Sequence, residues 1–284
     1  MLSKNFYVII DSRTEAKMKP ENFDAAKIKD LLSARGAADV RVYTFETVGS
    51  TNDTAKEYIS RRESAFPAVF AADSQTGGRG RMGRSFFSPH GGLYMTLAVK
   101  FSCALNSHIT SLTSAAAVAS ALSVEEICGI RTGIKWVNDL YTGRGKVCGI
   151  LCETLTGADG GIFALAGIGI NLADPAFPEE ISGRAAGLGI GKTVKNALAA
   201  AIAGRMLEYI AHIERGETGA FMELYRRYSV TLGQKVIYTR DGVEYEGTAV
   251  SVDDLGRLTV RRADGMEVLL ATGEISLRIA DRLI

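Results

Sequence analysis

Three arginines, Arg79, Arg81 and Arg84, alternate with Gly78, Gly80 and Gly83 in the stretch SQTGGRGRMGRSFFSPHGG at residues 74–92, which carries no acidic residue. Permanent guanidinium forks on a glycine-rich backbone suit a polyanion that must be wrapped, a phosphate ester above all. Gln75 adds an amide donor and acceptor, and Phe86 with Phe87 supplies apolar walls for a planar ligand. The glycine spacing also invites a dinucleotide-binding reading. That motif must open a helix and be followed about twenty residues later by an acid. Here Pro89, Gly91 and Gly92 stop a helix, and residues 100–124 contain neither Asp nor Glu. The loop is expected to clasp an anion without a Rossmann turn.

A second stretch, DLYTGRGKVCGIL at residues 139–151, sets Lys146 between Asp139 and a glycine-containing apolar run. It is not a Walker A loop, because Val147 stands where Ser or Thr would hold magnesium and the upstream glycine is missing. Lys146 instead reads as the first residue of a strand, placed to hold a phosphate or a carboxylate. Cys148 and Cys152, four apart in that run, would share one face as small buried hydrophobes. The four cysteines, with Cys103 and Cys128, form no CxxC pair, and His90, His108 and His212 form no ligand pattern, so neither a disulfide framework nor a zinc site is expected.

The elements that must position these residues follow from periodicity. Residues 24–35 have helical spacing and stop at Gly36; one helix there does not make a helix-turn-helix. Residues 40–60 read as strand, loop at Gly49, and a helix capped near Ser50 or Thr51. AVFAAD is a strand that delivers the chain to the arginine loop, and GGLYMTLAVKF alternates as a strand beyond it. A long Ala-rich helix opened by Ser107 follows, then IRTGIKWVNDLY, KVCGILCETL and GIFALAGIGINL as three β-rich runs. Strands this closely spaced favour an antiparallel or mixed sheet flanked by helices. Two further helices precede residue 232. From Gly233 onward short alternating runs are broken by Asp241-Gly242 and Asp264-Gly265, the hairpin signal of a small barrel-like unit.

A chain of 284 residues with 46% hydrophobic and 23% charged residues is expected to fold as one large and one smaller domain. The formal charge of +1 argues against a general nucleic-acid coat. No apolar run reaches membrane-spanning length and no secretory leader is evident, so the protein is expected in the cytoplasm.

Taken in order, STND from Ser50, QTGGRGRMGRSFFSP from Gln75, KWVND from Lys135, GKVCGIL from Gly145, GIGIN ending at Asn171 and GEISLR from Gly273 resemble the biotin protein ligases. The resemblance implies an α+β fold: a class II aminoacyl-tRNA synthetase-like catalytic domain over 1–232, with 1–40 a short N-terminal extension, and an SH3-like β-barrel over 233–284. It implies that biotin and ATP, with Mg2+, give biotinyl-5'-AMP, and that a lysine of a biotin carboxyl carrier protein then takes the biotinyl group. Ser50, Thr51, Asn52, Gln75, Arg79, Gly80, Arg81, Lys146 and Gly149 correspond to biotin-side residues. Arg79, Arg81, Arg84, Phe86, Asn138, Lys146, Asn171 and Arg278 correspond to the nucleotide side. Arg81, Lys146 and Asp139 carry the chemistry, Asp139 by orienting the incoming amine.

Phe86 stands where many members have Trp, and Val137 where many have Pro. Fewer than fifty residues precede Ser50, too few for the DNA-binding half of the bifunctional members, so no DNA partner is expected. A monomer and a homodimer paired along sheet edges are equally compatible with these residues. A lipoate or octanoyl ligase or transferase of the same fold is the alternative enzyme, and a biotin-sensing regulator the alternative outside enzymes.

Overall fold

The computed structural model describes residues 22–61, 65–101, 109–190, 194–240, 242–271 and the backbone of 278–279. The expectations for residues 1–21, Cys103, Ser107, His108, Asp241 and the GEISL part of the last motif lie outside the described residues, as does the side chain of Arg278.

Helix α1 (Ala25–Ser33) begins at Asp24, whose carboxylate accepts from the backbone N–H groups of Ala26 and Lys27. The chain then alternates strand and helix through β1 (Arg41–Val48), α2 (Thr51–Arg61), β2 (Ala68–Gln75), β3 (Leu93–Phe101) and α3 (Ile109–Cys128). A run of short and long strands follows: β4 (Gly133–Lys135), β5 (Asp139–Thr142), β6 (Gly145–Thr156) and β7 (Ile162–Ile170). Helices α4 (Glu179–Ser182), α5 (Lys195–Glu214) and α6 (Gly219–Tyr228) lead to β8 (Lys235–Arg240), β9 (Val243–Val252), β10 (Leu258–Arg261), β11 (Glu267–Leu270) and β12 (Arg278–Ile279).

The first seven strands make one mixed sheet in the order β1-β2-β3-β7-β6-β5-β4. Strands β1 and β2 are parallel because α2 carries the chain back between them; every other neighbouring pair is antiparallel. The period of two sorts the side chains between the faces. Val69 and Ala71, Leu97 and Val99, and Ala164 and Ala166 enter the large core that holds α1, α3, α5 and α6. Their neighbours Ala68, Phe70, Ala98, Phe163 and Leu165 face the other way, onto Ala55 and Ile59 of α2. Both faces are covered, so these strands read as nearly continuous apolar runs.

The sequence IRTGIKWVNDLY, expected as one β-rich run, divides into β4 and β5. Trp136 and Val137 turn into the core between them. The Trp136 backbone N–H is donated to Thr231 Oγ1 at 2.8 Å instead of to a neighbouring strand, and its indole N–H to the carbonyl of Gly256 at 2.8 Å. This turn therefore places Asn138 and Asp139 while anchored from the C-terminal sheet.

That sheet is antiparallel with five strands, β11-β10-β9-β8-β12. Arg240 pairs with Val243, so the hairpin closes over residues 241–242, where Gly242 takes a φ of 77°. Its apolar face, with Val236, Tyr238, Leu258 and Val260, is continuous with the large core. Gly256, at φ 81°, leaves no room for a Cβ, which would stand 2.6 Å from Ser114 Oγ of α3. Thr218 Oγ1 donates to the carbonyl of Asp254 at 2.8 Å, and Arg226 donates to its carboxylate at 2.9 Å.

One buried ion pair fixes the strand that leads to the arginine loop. Lys195 Nζ lies 2.6 Å from Asp73 Oδ1, with both residues under 5% exposed. The Phe23 N–H also donates to that oxygen, at 3.3 Å. Removing one partner of such a pair leaves a buried charge uncompensated. Lys195→Met is expected to lower stability by about 3 kcal/mol, read as a lower urea midpoint at unchanged slope; a midpoint equal to the parent's contradicts this reading.

Candidate functional site

Beyond β2 the chain pins itself to the β1–α2 turn, with Thr76 N–H donated to the Val48 carbonyl at 2.9 Å and Gly77 N–H to the Gly49 carbonyl at 2.8 Å. It then folds back as a small hairpin. The Phe86 N–H is donated to Gly78 at 2.9 Å, the Gly80 N–H to Arg84 at 2.7 Å, and the Gln75 N–H to Ser88 at 3.0 Å. The tip is a single 3-10 turn, Arg81–Gly83, in which Met82 and Gly83 have φ of 57° and 73°. Left-handed backbone at a non-glycine residue is costly, and Met82 is well exposed.

Between the loop and the sheet lies a cleft lined by Ser50, Thr51, Asn52, Gln75, Arg79, Phe86, Gly149, Leu151 and residues 167–169. Six of the expected biotin-side residues thus meet in one place: Ser50, Thr51, Asn52, Gln75, Arg79 and Gly149. Ser50, Thr51 and Asn52 are each under 5% exposed at the start of α2. The Gln75 Oε1 accepts from the Thr51 N–H at 2.8 Å, and its Nε2 donates to Ser88 Oγ at 2.9 Å. Arg79 reaches across to Asp53 of α2 at 2.9 Å.

Phe86 was expected beside the nucleotide; the structure sets its ring in this cleft, on the two glycines of β6 and β7. A Cβ at Gly149 would stand 2.8 Å from the ring, and one at Gly169 would collide with it. With the ring there, the cavity is only about 30 Å3. In this arrangement the cleft has room for little more than a water molecule.

Beside the Gly149 and Phe86 wall, Lys146 Nζ pairs with Asp139 Oδ1 at 2.7 Å. Lys146 is the second residue of β6, one place later than expected, and its backbone is fixed by the Arg184 carbonyl and the Ala186 N–H, each at 2.9 Å. Asn138 Oδ1 accepts from Arg81 Nη1 at 3.2 Å, while Asn138 Nδ2 donates to the Ile150 carbonyl at 2.9 Å. The loop arginine and the Trp136 turn are thereby coupled. Burial lowers the Arg81 guanidinium below its ordinary value, and Asp139 opposes that effect. Lys135 is lowered for the same first reason, again against Asp139. Asp139 is the carboxylate around which these cations are arranged. Arg84 closes the loop's own turn through its backbone, and Gly80 has Arg84 O 3.4 Å from where its Cβ would be.

Asn171 is not in the cleft. It lines a second cavity of about 220 Å3 with His90, Gly92, Tyr94 and Asp174. Asn171 Nδ2 donates to the Ala186 carbonyl at 3.1 Å. Arg278 is placed only through its backbone, opposite Ile237.

Several residues around the cleft escaped the sequence reading. Thr96 sits fully buried with Oγ1 2.5 Å from Asn52 Oδ1. Glu153 accepts from Asn52 Nδ2 at 2.7 Å and from Lys56 Nζ at 2.7 Å. Each is a polar residue among apolar neighbours within a strand, which was the available signal. Gly167 belonged to the GIGIN stretch, yet its reason appears only in space: a Cβ there would collide with Asn52 Oδ1. Because Asn52 is held from three sides, it cannot yield. Gly167→Ala is expected to cost about 1–3 kcal/mol in stability and to weaken ligand binding at the cleft. A variant with the parent's melting temperature and ligand affinity would refute it.

The arrangement sets the polar groups of Ser50, Thr51, Asn52 and Gln75 along one cleft, with the cationic Lys146 beside its Gly149 and Phe86 wall. Residues 44–171 match the biotin/lipoate A/B protein ligase family, and residues 231–278 match the biotin protein ligase C-terminal domain. The bifunctional ligase/repressor BirA of Bacillus spizizenii is 30% identical over 257 residues, covering 88% of this chain and 78% of that protein. The biotin–[acetyl-CoA-carboxylase] ligase of Mycobacterium tuberculosis is 27% identical, covering 89% of this chain and 94% of its own length. Among solved structures, the biotin protein ligase of Aquifex aeolicus in complex with biotin and ATP superposes with a TM-score of 0.72 at 26% identity, over 84% of this chain and 99% of that one. The chain belongs to the biotin protein ligases of the biotin/lipoate A/B protein ligase family.

Proposed function

We propose that this chain joins biotin to ATP as biotinyl-5'-AMP and passes the biotinyl group to one lysine of a biotin carboxyl carrier domain. The observation that carries this reading is the meeting of Ser50, Thr51, Asn52 and Gln75 in one cleft, with the Lys146–Asp139 pair beside its Gly149 and Phe86 wall and Arg81 held by Asn138, the residue before Asp139. The Aquifex aeolicus relative solved with biotin and ATP supports carrying both substrates to this chain. The name of the Mycobacterium tuberculosis relative supports an acetyl-CoA carboxylase as the acceptor.

In the first step a carboxylate oxygen of biotin attacks the α-phosphorus, and pyrophosphate leaves with the bridging oxygen. Charge grows on the phosphoryl oxygens, where the Lys146 ammonium and the Arg81 and Arg79 guanidinium groups neutralise it. Magnesium travels with ATP as the substrate complex, held mainly by phosphates and water. The adenine takes the cavity at Asn171, Tyr94 and His90. In the second step the neutral carrier amine attacks the acyl carbon, AMP leaves with the electron pair, and an amide forms. Asp139, released when Lys146 turns to the ligand, accepts the ammonium proton. The closed arginine loop keeps water from the mixed anhydride meanwhile.

Arg84 and Arg278 approach the triphosphate in this reading. The catalytic unit ends and the C-terminal unit begins near Leu232, supported by the change to short antiparallel strands there. ATP and a carboxylase acceptor support a cytoplasmic enzyme; among the described residues no helix is long and apolar enough to cross a membrane.

The test combines the purified chain with ATP, magnesium, biotin and a carrier domain, then weighs the carrier. A mass gain of one biotinyl group on one lysine, absent when lipoate replaces biotin, is the expected result. Modification with lipoate alone overturns the reading.

A further inference from the structure

We propose that Lys135 and Arg184, beside Lys146, form a subsite for the pyrophosphate that leaves in the first step; the inference rests on the adenylation reading above. Three strand pairings bring the first cations together. Lys135 stands opposite Asp139, Asp139 opposite Gly149, and Tyr141 opposite Lys146. Residues that face each other across a strand pair share one side of the sheet. Lys135, Asp139, Tyr141, Lys146 and Gly149 therefore lie together, whereas Ile134, Leu140 and Cys148, which alternate with them, are buried in the core.

That face carries more positive charge than the protein neutralises. Its one carboxylate, Asp139, is already paired with Lys146 at 2.7 Å. Lys135 is half-buried with Nζ 5.1 Å from the centre of the Tyr141 ring, and among the described residues no carboxylate lies within ion-pair distance of it. Arg184 arrives from the other side. Its carbonyl accepts the Lys146 N–H at 2.9 Å, and Ala185 bridges Lys146 in parallel. The Arg184 guanidinium donates to the Glu180 backbone carbonyl at 3.0 Å, a contact that leaves its charge uncompensated. Burial lowers the Lys135 ammonium below its ordinary value, Asp139 opposes this, and Lys146 and Arg184 add to it. Cations crowded in this way repel one another until a polyanion joins them.

The cluster also lies where the leaving group must go. The sheet runs β3-β7-β6-β5-β4. The cleft at Gly149 and residues 167–169 and the cavity at Gly92, Tyr94 and Asn171 belong to its β3, β7 and β6 side. Lys135 lies on the opposite side of Lys146, on β4. Attacking and leaving oxygens stand roughly in line across the phosphorus. With biotin entering from the cleft, pyrophosphate departs toward β5 and β4. As the biotin carboxylate oxygen bonds to the α-phosphorus, the bond to the bridging oxygen breaks and pyrophosphate takes that electron pair. The Lys135 ammonium and the Arg184 guanidinium neutralise the charge as it grows.

The second step involves no pyrophosphate, so two partial reactions separate this subsite from a mere support for Asp139. One is ATP formation from biotinyl-5'-AMP and magnesium pyrophosphate; the other is biotinyl transfer from preformed biotinyl-5'-AMP to a carrier domain. Lys135→Met, which keeps an apolar stem on Tyr141, is expected to raise the KM for pyrophosphate roughly tenfold or more. Arg184→Gln, at an exposed position that folding does not depend on, should raise it in the same direction. Transfer should fall far less than ATP formation in both variants. A pyrophosphate KM unchanged in either variant, or equal losses in the two partial reactions, overturns the proposal. A parent chain that makes no biotinyl-5'-AMP overturns the functional reading as well, whereas an active parent with unmoved variants overturns this inference alone.

Discussion

Lys146→Ala is expected to slow formation of biotinyl-5'-AMP by a factor of about 100 or more, the usual loss when one fixed charged donor to a developing anion is removed. The effect has two parts. The ammonium that would face the phosphoryl oxygens disappears, and the carboxylate of Asp139, 2.7 Å from Lys146 Nζ, is left unpaired where a second anion must arrive. The parts can be separated, because Lys146→Ala with Asp139→Asn removes the repulsion and not the missing donor. The double variant should therefore be faster in adenylation than Lys146→Ala alone, though well below the parent. Lys146→Arg keeps the charge in a planar fork on a different stem and should rescue only partly. A single-turnover measurement with labelled ATP reads all three. Lys146→Ala at the parent's rate would remove the lysine from the account.

The second large effect belongs to Arg81. Its guanidinium is held by Asn138 Oδ1 at 3.2 Å, and Asn138 is in turn held by Ile150. Arg81→Ala therefore removes a phosphate donor and also unfastens the loop from the Trp136 turn. Adenylation should fall about a hundredfold. In addition, a greater share of the biotinyl-5'-AMP that does form should escape and hydrolyse before reaching the carrier, since the loop no longer encloses it. Arg81→Lys restores charge but cannot make the same fork, so it should recover rate more than retention. The ratio of AMP released to biotinyl groups transferred separates the two. A ratio that stays at the parent's value in Arg81→Ala would contradict the enclosing role of the loop.

Much of the fold could be read from periodicity. The sheet, the long helices α3 and α5 and the C-terminal hairpins follow from alternation, Ala-rich helical spacing and the Asp-Gly turns. The β4–β5 turn could not be read, because its cause is long-range. Trp136 turns inward to reach Thr231 and Gly256, about one hundred residues away in sequence, and no local pattern announces those partners.

The same holds at the site. Ser50, Thr51, Asn52, Gln75 and Lys146 were visible as short polar motifs in apolar context, and they do gather in and beside one cleft. Thr96 and Glu153 were polar residues inside strands, where the bland reading of a surface position is usually right. Only the register that brings β3 and β6 to either side of β7 turns them toward Asn52. Phe86 illustrates a different limit. Its aromatic character marked it as a ligand wall, but which ligand it walls depends on the hairpin closure of residues 78–86, a matter of backbone hydrogen bonds that the residue types do not encode.

The central claim is that the arginine loop and Lys146 close around an adenylated biotin whose ring lies between Ser50 and Gly169. A crystal structure of the chain with a non-hydrolysable sulfamoyl analogue of biotinyl-5'-AMP tests this most directly. The account predicts the ring in the cleft, Phe86 displaced from Gly149 and Gly169, and the phosphate-mimicking group at about 3 Å from Lys146 Nζ and the Arg81 guanidinium. An analogue bound away from the cleft, or bound with Phe86 still lying on the two glycines and Arg81 remote from it, would contradict the account.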